Sequence, residues 1–163
     1  MRLHLITVAL AVGVLFVAAC GGDNAMPMDD HGHSTDFAFG EPGAADAANR
    51  VIEIVTNDVL RFEPDSFAVG LGETITFRVT NDGLAAHDFT LGDAATQEEH
   101  AAMMTQMGAD MMSMPDEPNA FVLPVGETKE LTWRFTVAGH VLIGCHQPGH
   151  FEAGMVAVIT VTG

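Results

Sequence analysis

From Arg50 onward the chain alternates apolar and polar residues with a period of two. Ile52 and Ile54 flank Glu53, and Ile75, Phe77 and Val79 are interleaved with Thr74, Thr76, Arg78 and Thr80. Leu131, Trp133 and Phe135 alternate with Thr132 and Arg134 in the same way. Val141 and Ile143 lead to Cys145, and an apolar run covers Val156 to Val161. A period of two sends one set of side chains to one face of a strand, so each run reads as a half-buried strand. Turn signals punctuate them: Gly70-Leu71-Gly72, Asn81-Asp82-Gly83 and Pro124-Val125-Gly126. Seven or eight such strands in about 110 residues predict an all-β, Greek-key β-sandwich. No internal repeat is present.

One segment breaks the alternation. Thr96 and Glu99 have the spacing of a capping box, with Thr96 as N-cap, and predict a helix of about ten residues. Gly108 should weaken it and Pro115 should end the insertion. This insertion carries His100, Met103, Met104, Met107, Met111, Met112 and Met114. Positions 100, 103, 104, 107 and 111 share one face if the helix continues. Two readings stay open. Methionine fills irregular gaps in cores, and a dense group of thioethers beside a histidine is also a soft donor set that could hold a copper ion.

The N-terminal residues read as a targeting signal. Arg2 precedes an apolar run, Leu5 to Val17, that is too short to span a bilayer as a mature helix. Ala18-Ala19-Cys20-Gly21 resembles the lipobox of bacterial lipoproteins, which implies residues 1–19 as signal peptide and Cys20 as the lipidated residue. The expected location is the periplasmic face of a bacterial membrane or the cell surface, held by a lipid anchor only. Residues 20–48 are polar and rich in small residues and suit a flexible tether. They include Met26, Met28, His31 and His33, a further set of metal-donor types. Residues 49–163 form the expected globular domain.

Charge narrows the partners. Six Lys and Arg stand against 22 Asp and Glu, for a formal net charge of −16. Such a field repels nucleic acid and anionic lipid surfaces. A basic protein suits it better, for instance a redox protein such as a c-type cytochrome.

The chemistry lies near the C-terminal end. The chain has two cysteines, Cys20 and Cys145. If Cys20 carries lipid, Cys145 lacks a disulfide partner in an oxidising compartment, and a metal would occupy it. Cys145, His150 and Met155 follow one another at intervals of five within one loop between two apolar strands. Thiolate, imidazole and thioether together suit copper in both oxidation states, whereas methionine is a poor zinc ligand. A trigonal plane of two imidazoles and a thiolate needs a second histidine, and His87, just past the Asn81-Asp82-Gly83 turn, is the candidate. The competing reading is a buried thiol with two surface histidines. Asn81 and Asp88 stand where hydrogen bonds could tune the site. His146 should point away from the metal as a surface residue.

With these residues in place, the domain resembles the cupredoxins, the plastocyanin and azurin group of copper proteins. The resemblance implies His87, Cys145 and His150 as strong equatorial ligands of a mononuclear type 1 copper and Met155 as the weak axial one. The Cys145-His146-Gln147-Pro148-Gly149-His150 run and the helical insertion are similar to bacterial cupredoxins linked to copper tolerance. The implied role is copper handling, or alternatively one-electron transfer between membrane-associated partners. Catalysis is not expected. Gly144 precedes Cys145 where multicopper oxidases carry a histidine, and the three-histidine second site needed for nitrite reduction is missing.

Overall fold

The structure is a computed structural model that describes residues 36–163. The predicted signal, Cys20 and the Met26–His33 donors lie outside the described residues. Ten strands form two five-stranded sheets. They are β1 (Gly40–Pro42), β2 (Arg50–Asn57), β3 (Arg61–Glu63), β4 (Ser66–Gly70), β5 (Thr74–Asn81), β6 (His87–Gly92), β7 (Ala120–Leu123), β8 (Thr128–Phe135), β9 (Gly139–Gly144) and β10 (Val156–Thr162). One sheet runs β1-β8-β5-β2-β3 and the other β4-β10-β9-β6-β7. The all-β sandwich with a helical insertion is therefore present. Its strand number exceeds the expected seven or eight because β1 and β3 have three residues each, too few to show an alternation.

The core lies where the inward faces of the two sheets meet. Phe77 of β5 and Phe89 of β6 pack across the gap with ring centroids 5.7 Å apart, and Phe89 stacks on Phe121 of β7 at 5.1 Å. Phe62, Phe77, Phe89, Phe135, Ile143 and Ile159 are fully buried. Each such side chain contributes about 1.5–3 kcal/mol through removal from water. This rigid apolar layer ends at His87 and Cys145, so the donors stand on one end of a packed frame.

Two expectations need correction. The tether does not reach residue 48. Gly40–Pro42 pairs with Phe135–Trp133 of β8, and Phe37 and Phe39 pack their rings against Trp133, each at 5.0 Å. Only Gly fits at position 40, because a Cβ there would strike Trp133 Nε1 and the Arg134 carbonyl. The helix also starts earlier and runs longer than predicted. It is α1, Ala94–Met107, and its N-cap is Asp93, whose carboxylate accepts from Thr96 N at 2.9 Å and Thr96 Oγ1 at 3.0 Å. Aspartate three residues before the threonine takes the cap, as its side chain satisfies an otherwise orphan N–H of the first turn. Gly108, at φ 55°, ends α1, and a 3-10 turn covers Gly108–Ser113.

Candidate metal centre

His87 opens β6, and its position is set by the turn before it. Asn81 donates to the Ala85 carbonyl at 2.9 Å and the Leu123 carbonyl at 3.1 Å, and accepts from Gly83 N at 2.9 Å. Asp58 accepts from Leu84 N and Ala85 N at 2.8 and 3.1 Å, closing the same turn. Cys145 follows directly on the last residue of β9. Its N–H donates to the Met155 carbonyl at 3.2 Å, and Met155 N donates to the His150 carbonyl at 3.0 Å. The ligand loop is thus tied back on itself, with all four expected ligands on two short connections.

Among the described residues, His87, Cys145 and His150 bring their ligand atoms within 4.8 Å of one another. His87 Nδ1 and His150 Nδ1 are 3.3 Å apart, and Cys145 Sγ lies 3.4 Å from His150 Nδ1 and 3.9 Å from His87 Nδ1. A triangle with these edges has its centre about 2 Å from each corner, the length of a bond from imidazole or thiolate to a first-row metal. Met155 is fully buried at the point where the loop closes. His87 and Cys145 are also fully buried, and His150 is half-buried. Burial, with the Asp88 carboxylate beside it, pushes the Cys145 thiol well up. Burial, reinforced by His150, holds His87 below the usual histidine range. Two imidazoles and a buried thiol that meet at one point are the groups a cation would engage, displacing the thiol proton, so the residues fit a metal.

Asp88 holds this arrangement from behind. Its Oδ1 accepts from His146 N at 2.8 Å and Gln147 N at 3.0 Å, and the Cys145 thiol lies 3.4 Å away. Asp88 N in turn points at Cys145 Sγ at 3.5 Å. Its other oxygen accepts from Thr90 Oγ1 at 3.2 Å and faces His100 Nε2 at 3.6 Å. One buried carboxylate therefore joins the strand of His87, the loop of Cys145 and helix α1.

His146 departs from expectation. It is buried, its ring stacks on Phe151 at 4.6 Å, and its Nε2 is 2.7 Å from Gln97 Oε1. That bond passes over Gly144, where any Cβ would collide with Gln97 Oε1. Sequence reasoning missed Gln97 and the buried role of His100. The signal was the Asp93 cap, which phases Gln97, His100 and Met104 onto the inward face of α1.

The Met-rich group spans α1 and the 3-10 turn that follows it. His100 and Met103 line a cavity of about 310 Å³ beside Glu117. Met104 and Met111 line a different groove, of about 330 Å³, with His146. Met107, half-buried at the end of α1, lines neither. The single stripe fails because Gly108 breaks the helix before Met111.

Fold and donor set together define a copper protein of the cupredoxin class. The family described as copper binding proteins, plastocyanin/azurin family, matches residues 48–162, and the chain belongs to it. Within that class it is 38% identical to the copper-resistant cuproprotein CopI of Rubrivivax gelatinosus, over 80% of this chain and 78% of that protein. It is 36% identical to CopI of Pseudomonas aeruginosa, over 93% of each. Auracyanin B superposes with a TM-score of 0.61 at 25% identity, covering 77% of this chain and 97% of that one. The chain is thus a cupredoxin related to copper-resistance proteins, and copper is its metal.

Proposed function

We propose that this protein holds one type 1 copper through His87, Cys145, His150 and Met155, and serves copper handling and tolerance outside the cytoplasm. The observation that carries the reading is the triangle of His87 Nδ1, His150 Nδ1 and Cys145 Sγ, sized for one ion, with buried Met155 beside it. A bound copper would exchange single electrons between Cu(II) and Cu(I). The protein's own part is to hold the donors still: the Asp88 and Asn81 hydrogen bonds fix loop and turn so that little moves between the two states. The tolerance role draws on the relatives described as copper-resistant cuproproteins. Export and anchoring through Cys20 belong to the same proposal and rest on the sequence alone.

Electron shuttling is the second reading. His150 is half-buried between exposed Pro148, Gly149 and Glu152, which leaves one edge of the site near solvent for a basic redox partner. Growth separates the two. In a bacterium lacking the protein, the intact chain should restore growth on copper and the Cys145→Ser chain should not. Equal growth of both under copper stress would remove the tolerance role.

A further inference from the structure

We infer that the groove between the Met-rich insertion and the ligand loop is a second copper site, selective for Cu(I), with Met104, Met111 and His146 as its donors. It rests on copper being this protein's cargo and is independent of the type 1 assignment.

The donor state of His146 follows from its neighbours. The Gln97 amide nitrogen lies 2.9 Å from the Thr90 carbonyl and 3.3 Å from the Leu142 carbonyl, both acceptors only. The amide is thereby oriented, and its oxygen is the atom facing His146 Nε2 at 2.7 Å. An oxygen that only accepts requires Nε2 to carry a proton, which leaves Nδ1 as the ring nitrogen open to a metal. The ring itself is held by stacking on Phe151 and forms part of the groove wall. A histidine locked in the ligating tautomer is what metal sites use.

The remaining donors are soft. Met104, 2% exposed, and Met111, half-buried, both line the groove. Met112 is 45% exposed, with its sulfur 4.0 Å from Gln147 Nε2. Thioethers bind without losing a proton and prefer Cu(I) to harder cations, so two of them with one imidazole select the reduced ion. The other wall is the segment from Gln147 to Glu152, which links Cys145 to His150. An ion there lies alongside the loop that carries the type 1 ligands.

The test uses the full chain under anaerobic, reducing conditions, titrated with Cu(I) against a chromogenic Cu(I) chelator. The paired substitution Met104→Leu and Met111→Leu keeps side-chain volume and removes both sulfurs. It is made in the natural chain and in a Cys145→Ser chain, so the N-terminal donors Met26, Met28, His31 and His33 cancel. The expected result is one equivalent of Cu(I) fewer in both backgrounds. No loss in either background, or a loss confined to the natural chain, would overturn the site. Met111→Leu alone, at a half-buried position, guards against misfolding of the pair and should weaken that equivalent at least tenfold; an unchanged affinity would also overturn it. Failure of the type 1 reading shows separately, as the lack of a thiolate-to-copper band with Cu(II).

Discussion

Asp88→Ala should lower the stability of the protein by about 2–6 kcal/mol, because it strands two buried backbone N–H groups, those of His146 and Gln147, at roughly 1–3 kcal/mol each. Both groups now donate to Asp88 Oδ1, at 2.8 and 3.0 Å. The same oxygen lies 3.4 Å from Cys145 Sγ, so the loss should also loosen the copper loop and weaken copper binding. Asp88→Asn keeps an oxygen for the two donors and should recover most of the stability. Chemical denaturation of the three proteins checks the order. An Asn variant as unstable as the Ala variant would assign the effect to the negative charge facing His100 rather than to acceptor geometry.

The second large effect concerns where the domain begins. A chain shortened to start at residue 49 should be less stable than one starting at residue 36 by about 2–4 kcal/mol, since it loses the burial of Phe39 and part of that of Phe37. Both rings lie 5.0 Å from Trp133, the sole tryptophan, which is fully buried. Its emission should therefore shift to longer wavelength in the shorter chain. Identical emission and identical denaturation midpoints would show that residues 36–48 add nothing to the fold.

What was legible in the sequence was local. Strands β2, β5, β8 and β9 show their alternation directly, and Cys145, His150 and Met155 share one loop. Even His87 could be read, since a turn signal precedes it. What was missed depends on contacts between distant parts of the chain. Phe37 and Phe39 look like tether residues until Trp133, far along the chain, supplies their partner. His146 looks like a surface residue until Gln97 crosses over Gly144 to reach it. The helix start was misplaced at Thr96 for a different reason: Asp93 is an equally good cap, and the strand ending at Gly92 lets it act first. The Met stripe required an unbroken helix, and Gly108 at φ 55° sends Met111 to the groove of His146 instead.

Everything proposed for the type 1 site depends on Cys145 being a copper ligand in a trigonal His₂Cys site. The most direct measurement is the visible absorption spectrum of the Cu(II)-loaded protein beside its Cys145→Ser variant. The natural chain should show an intense thiolate-to-copper band that is absent from the variant. A folded, copper-loaded natural chain with no such band, or a variant that keeps it, would mean that Cys145 does not bind the copper.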